Sequence, residues 1–158
     1  MKKYRLTEET TKVGNRPLYR IQALRDFGNV KEGDIGGYIE SEKNLSQDGN
    51  AWVSGDARVY GDACVYGNAR VYGDARVYGN ADIKTTGDIC SMSGFGSEYR
   101  TTTAFRTKNG DVHVSCGCFQ GNLEAFCQRV ESTHGNNLYG REYKKMIEML
   151  KIHFEVEP

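Results

Sequence analysis

Six residues separate one glycine from the next through the middle of this 158-residue chain, and that period limits the possible folds more than any other feature. After Asp48 the sequence runs GNAWVS-GDARVY-GDACVY-GNARVY-GDARVY-GNADIK, with Gly49, Gly55, Gly61, Gly67, Gly73 and Gly79 opening successive units. Two places after each glycine comes Ala51, Ala57, Ala63, Ala69, Ala75 or Ala81, and two further on Val53, Val59, Val65, Val71, Val77 or Ile83. Residues two apart in an extended backbone share a face, so Ala and Val point inward while Arg, Tyr, Trp and Cys between them point out. Gly followed by Asp or Asn supplies a corner, because these residues accept positive φ most cheaply. A strand and a corner every six residues close a three-sided parallel coil every eighteen, stacked at about 4.8 Å per turn.

In the same register upstream, Gly37 falls at the glycine position and Ile39 and Leu45 at the alanine position. Downstream the pattern breaks at Lys84-Thr85-Thr86, since the next glycine is Gly87. The coil so defined, residues 37–84, has between two and three turns and needs covers at both ends. Residues 1–36 supply a β-hairpin cap, with Tyr4–Leu6 and Leu18–Leu24 as strand-like runs about Gly14-Asn15-Arg16-Pro17. Residues 85–158 read as a ββαα unit. Two strands between Tyr99 and Phe119 turn at Lys108-Asn109-Gly110-Asp111. Asn122 then caps a helix to about His134, and a second runs from about Tyr139 to Ile152 with Tyr143, Met146, Ile147 and Leu150 on its apolar stripe. The fold class expected is mainly β with a small α+β end.

The glycine-spaced units, with a small residue two places before an aliphatic one, resemble the hexapeptide-repeat proteins that form left-handed parallel β-helices. The resemblance covers about a third of the chain. It alone implies the left hand, since crossovers between parallel strands are normally right-handed. The run Cys116-Gly-Cys-Phe-Gln-Gly-Asn-Leu-Glu-Ala-Phe126, followed by Ser132-Thr-His-Gly135, resembles uncharacterised proteins of bacteriophages and prophages of Gram-positive bacteria. That likeness implies an origin and a host cytoplasm, and no known activity.

Hexapeptide-repeat enzymes include acyltransferases and zinc-dependent carbonic anhydrases, whose chemistry needs histidines on the faces of the coil. Here His113, His134 and His153 all lie outside the repeat. No catalytic residue, metal or cofactor is therefore expected, and the chain reads as a non-enzyme. Cys116 and Cys118 could ligate zinc with Cys90, Cys127 or His113, but C-x-C alone is weak and free cysteine is a common buried hydrophobe. The segment Ser93–Ser97 with Arg100–Thr103 could cradle a phosphate, yet no GKS/T motif accompanies it. A plain loop is the simpler account.

The outward columns carry more. With residues i and i+18 adjacent, one face stacks Glu40, Arg58 and Arg76 beside Glu42, Tyr60 and Tyr78, and a second sets Trp52 by Arg70 and Ser54 by Tyr72. Arg over Trp and Tyr on Tyr are favourable neighbours, and these residue types are enriched in interfaces. Arg58, Tyr60, Arg76, Tyr78, Trp52, Arg70 and Tyr72 are thus the candidate contact residues of a homo-oligomer, a trimer first. Glu40 is expected to pair with Arg58, which leaves Arg76 open to a second subunit or an anion.

Twenty-one basic and twenty-one acidic residues cancel, and no segment has the basic excess that drives non-specific nucleic-acid binding. No apolar run is long enough for a membrane span or an export signal, so the five cysteines are expected as thiols in the cytoplasm. The function expected is a non-catalytic oligomeric binding protein. On the phage resemblance it would inhibit or sequester a bacterial immune component. The alternatives are a sponge for a small anionic or nucleotide ligand, a structural or assembly protein of a virion, and a hexapeptide-type acyltransferase.

Overall fold

Hairpin, repeat and terminal unit all take shape in the computed structural model, in which residues 1–156 are described. The chain is mainly β, with two helices at its C-terminal end. Strands β1 (Tyr4–Val13) and β2 (Arg16–Ala23) form the antiparallel hairpin, and β3 (Ile35–Ile39) pairs antiparallel with β2. Each repeat unit then contributes a two-residue strand: β4 (Trp52–Val53), β5 (Arg58–Val59), β6 (Cys64–Val65), β7 (Arg70–Val71), β8 (Arg76–Val77) and β9 (Asp82–Ile83). Parallel pairing joins β4 to β7, β5 to β8 and β6 to β9, each eighteen residues apart, which makes three walls. The six corner glycines have φ between +62° and +70°, and the repeat alanines and aliphatics are at most 1% exposed. The interior is therefore the thin Ala/Val core that the alternation predicts.

Upstream of Trp52 the register differs from the expected one. Tyr38 pairs with Arg58, Ile39 with Val59 and Leu45 with Val65, each twenty residues apart. Two extra residues lie between Leu45 and Trp52, so Ile39 and Leu45 occupy the valine position and not the alanine one. Tyr38 heads the Arg58–Arg76 column, and Glu40 stands over Tyr60, its N–H donating to the Val59 carbonyl. The physical cause is an anchored bulge. Lys3, fully buried, donates from Nζ to the carbonyls of Ala51 at 2.7 Å and Asp48 at 3.4 Å, while Gln47 Oε1 accepts from the N–H groups of Lys3 and Tyr4. Nor is Gly37 a corner: a Cβ there would stand 2.7 Å from the Ala57 carbonyl oxygen and 2.8 Å from Val53 Cγ1. It is glycine because β3 lies against the next turn.

The first and last corners share a device the hexapeptide pattern hides. A 3-10 turn spans Glu42–Asn44 and another Thr86–Asp88. Asn44 Oδ1 accepts from the N–H groups of Glu40 and Ser41, and Asp88 Oδ2 from those of Lys84 and Thr85. Buried Asn44 also donates from Nδ2 to the carbonyls of Gly61 at 3.1 Å and Ala63 at 2.9 Å. In ordinary corners backbone N–H groups fill that role, as Asp62 does toward Gly79 and Cys64 toward Ala81. One side-chain amide thus replaces the two ladder donors that the 3-10 turn redirects, so the Gly61 and Ala63 carbonyls stay paired. The inward aliphatic series continues past the break to Ile89, six residues after Ile83 and 9% exposed.

The terminal unit has four strands where two are expected: β10 (Ile89–Phe95), β11 (Arg100–Arg106), β12 (Val112–Cys116) and β13 (Phe119–Asn122), antiparallel in that order. Helices α1 (Leu123–His134) and α2 (Leu138–His153) follow. Asn122 Oδ1 accepts from the Ala125 N–H and caps α1. Strand β10 alternates Cys90 and Met92, packed toward the core, with exposed Ser91 and Ser93, but its weak strand formers and Gly94 give only a faint signal. The sheet docks on the coil through β11: Arg76 N–H donates to Thr103 Oγ1, and Lys108 N–H to the Asn80 carbonyl.

Two outcomes test this packing. Ala63 and Ala69 have no exposed surface, so replacing either by leucine should overpack the coil and lower stability in denaturant melts by about 1–3 kcal/mol. Burial and the nearby Arg25 charge pull the Lys3 ammonium down to about 8 from 10.5. Between those values the unfolded chain holds a proton that the folded chain lacks, so stability rises with pH. Below pH 8 the folded state carries the buried charge at a cost, and above about 10 the buried phenols of Tyr4, Tyr60 and Tyr78, raised by desolvation, act oppositely. Urea melts should show a gain on the order of 2 kcal/mol from pH 7.5 to 9.5, and Lys3→Met should remove it.

Candidate functional site: an arginine cleft

The wall made of β3, β5 and β8 presents two outward columns, and the terminal sheet covers one and leaves the other open. Tyr60 and Tyr78 are each 8% exposed. Their rings stack at 5.3 Å, and Tyr78 meets Phe105 edge-on at 5.6 Å. Tyr78 Oη lies 2.9 Å from His113 Nε2. Desolvation raises both phenols and lowers His113, so the pair stays neutral and hydrogen-bonded. The two tyrosines expected at a subunit contact are therefore spent inside the chain, where they join coil to sheet.

Beside them the Arg column faces a cleft of about 830 Å³ between the wall and the terminal sheet. Arg58 and Arg76 project from adjacent rungs and Arg100 from the start of β11, with Asp56 and Asp74 at the wall's corners and Tyr38 on the first rung. Among the described residues none of these three arginines forms an ion pair, and Arg58 Nε is buried with no hydrogen-bond partner. Nearby arginines are matched: Arg16 with Glu40 at 3.1 Å, and Arg20 with Glu9 at 2.6 Å and Asp56 at 3.1 Å. Arg20 also lies over the Tyr38 ring at 4.3 Å, and its guanidinium with the Tyr38 hydroxyl holds the Glu9 carboxyl below its usual range. The expected Glu40–Arg58 pair is absent because the shifted register sets Glu40 one column over, where it also accepts from the Gly61 N–H.

Like charges on adjacent rungs, about 4.8 Å apart, repel. A planar guanidinium offers its donors in a fork that fits the oxygens of phosphate or carboxylate. Among the described residues these three forks have no carboxylate in ion-pairing reach, so the donors that face the cleft can take anionic oxygen. The hydroxyl side chains of Thr101 and Ser115 add polar groups to the same cleft.

The remaining candidates lie elsewhere. Trp52 is 4% exposed and packs edge-on against Phe27 at 5.2 Å and Tyr4 at 6.4 Å, under the loop that follows β2. Its ring is not stacked by Arg70, whose guanidinium is hydrogen-bonded to Asn29 Oδ1. Tyr72 is 59% exposed. Cys116 Sγ accepts from Thr102 Oγ1 at 3.2 Å and stands 3.6 Å from Tyr143 Oη. Among the described residues no group of three or more His, Cys, Asp or Glu is placed to hold a metal ion. In the suspected phosphate loop the Gly96 N–H donates to Glu142 Oε1, so a carboxylate already fills that position. Arg100, Asp56, Asp74 and Tyr38 escape the sequence reading as cleft residues. The eighteen-residue stacking points to the two aspartates, and the sequence marks Arg100 only as part of a possible phosphate cradle with Ser93–Ser97, not as a neighbour of the arginine wall.

No family model matches the chain. Over 61 residues it is 39% identical to the uncharacterized acetyltransferase YdcK of Escherichia coli strain K12, a match taking in 34% of this chain. The chain spans 19% of that protein's length, so the likeness is to a part of it. It is consistent with the resemblance of the glycine-spaced repeat to hexapeptide-repeat proteins.

Proposed function

We propose that this protein is a non-catalytic binding protein that holds a small anionic ligand in the arginine cleft, on a coil that is a left-handed hexapeptide β-helix. The observation that carries this reading is that Arg58, Arg76 and Arg100 line one cleft and that, among the described residues, none of them forms an ion pair, although Asp56 and Asp74 line it too. An interface armoured only by stacking would leave its tyrosines exposed. The phage resemblance extends the proposal: sequestering a small anion used by a bacterial immune system would disarm a host without covering any host protein. Self-association, as a trimer first, belongs to the same reading and would draw on exposed Tyr72 and not on Tyr60 or Tyr78.

The acyltransferase alternative draws on the likeness to the acetyltransferase YdcK. An acyl transfer of that kind needs a general base beside the acceptor. His113 bonds Tyr78, His134 stacks on Tyr143 at 5.8 Å, and His153 bonds the Gly87 carbonyl. The cleft is lined by none of them, so turnover there would have to draw its base from Asp56 or Asp74.

Titration calorimetry with pyrophosphate decides the matter. Wild type should bind, more weakly as ionic strength rises. Replacing Arg58 and Arg76 together by alanine should weaken binding at least tenfold, since charge-assisted hydrogen bonds contribute about 1.5–3 kcal/mol each, with an unchanged circular dichroism spectrum. Turnover of acetyl-CoA by wild type, lost in that double variant, would establish the enzyme reading instead.

A further inference from the structure

Opposite charges divide the cleft along the direction of the strands. Asp56 and Asp74 stand two residues before Arg58 and Arg76, in the corner turns that precede those strands. They are in the same register as the arginines, because the Asp56 N–H donates to the Gly73 carbonyl at 3.0 Å and the Arg58 N–H to that of Ala75 at 2.9 Å. The wall therefore offers a column of two guanidinium groups and, beside it, a column of two carboxylates. Asp56 is matched by Arg20 at 3.1 Å. Asp74, one rung on and exposed, has no ion pair among the described residues.

A ligand anionic over its whole length would press charge against Asp74. One whose far end carries hydroxyl or amine hydrogens would instead find an acceptor there. Size points the same way. At about 830 Å³ the cleft lies in the upper part of the range for small-molecule sites, about 300–1,000 Å³, far more than a single phosphoryl group fills. On the charged side, two forks on adjacent rungs and a third from β11 present more donors than one phosphoryl group accepts.

We infer that the ligand is a diphosphate joined to a hydroxyl-bearing sugar, of the nucleoside diphosphate class. Its phosphoryl oxygens lie on Arg58, Arg76 and Arg100, and its sugar or base donors on Asp74. This rests on the anion-binding reading and adds a second, oppositely charged half to it.

The test is titration calorimetry at one fixed ionic strength, with orthophosphate, pyrophosphate and the four ribonucleoside diphosphates, on wild type and Asp74→Ala. Pyrophosphate should bind at least tenfold more tightly than orthophosphate, and at least one nucleoside diphosphate at least tenfold more tightly than pyrophosphate. In Asp74→Ala that second advantage should vanish, while pyrophosphate binds as tightly as before or more so. If no nucleoside diphosphate exceeds pyrophosphate, or if its advantage survives Asp74→Ala, the two-ended ligand is wrong and the anion site stands. Equal binding of orthophosphate and pyrophosphate overturns the diphosphate assignment. If none of the six anions binds, the anion reading itself falls.

Discussion

Each two-residue strand of the coil is too short to exist alone, and what holds it is the hydrogen-bonded ladder to the strand eighteen residues on. That ladder is possible only if every corner turns by the same amount, which the glycines achieve with φ between +62° and +70°. A Cβ at Gly67 would lie 2.7 Å from the carbonyl oxygen of Lys84 in the next turn, so here glycine answers both a backbone angle and a close approach. Once the ladder is set, inward and outward positions follow, and with them the interior of Ala and Val and every surface column.

What the ladder cannot do is close its own ends. With so few turns, the terminal rungs would leave backbone donors and acceptors facing water or, worse, facing apolar cover. The hairpin and β3 extend one wall by antiparallel pairing. Asn44 supplies from its side chain the donors missing at one corner. At the other end Asp88 takes two backbone N–H groups and pairs with Arg106 of β11 at 3.4 Å. Covering the ends also decides which aromatics remain on the surface. Trp52 disappears under the hairpin side, and Tyr60 and Tyr78 under the sheet.

This explains why some of the molecule could be read from its sequence and some could not. The six repeats, their walls and their interior follow from a period, and a period is visible in one dimension. The helix start at Asn122 is equally local, since a single side-chain oxygen caps the first turn. The stacking rule also brought Arg58 and Arg76 together correctly. Burial of the tyrosines, by contrast, depends on where a separate sheet docks, and nothing in a hexapeptide records that. Arg100 belongs to the cleft for the same reason: its position comes from the docking of β11, not from its neighbours in sequence.

The charge of the cleft is set by a feature outside it. With eighteen residues in the first turn as in the rest, Glu40 would stand on the Arg58 column and pair with Arg58, which would leave Arg76 alone unmatched there. Two extra residues between Leu45 and Trp52 put Tyr38 there instead and send Glu40 to Arg16. The bulge that holds those residues is fastened by a fully buried lysine at the third position of the chain. Burying an ammonium is costly, and the Ala51 and Asp48 carbonyls that the bulge turns toward Lys3 offset part of that cost. Anchor, register and unmatched arginines therefore form one chain of cause, running from the N-terminal strand through the backbone ladder to the arginine cleft.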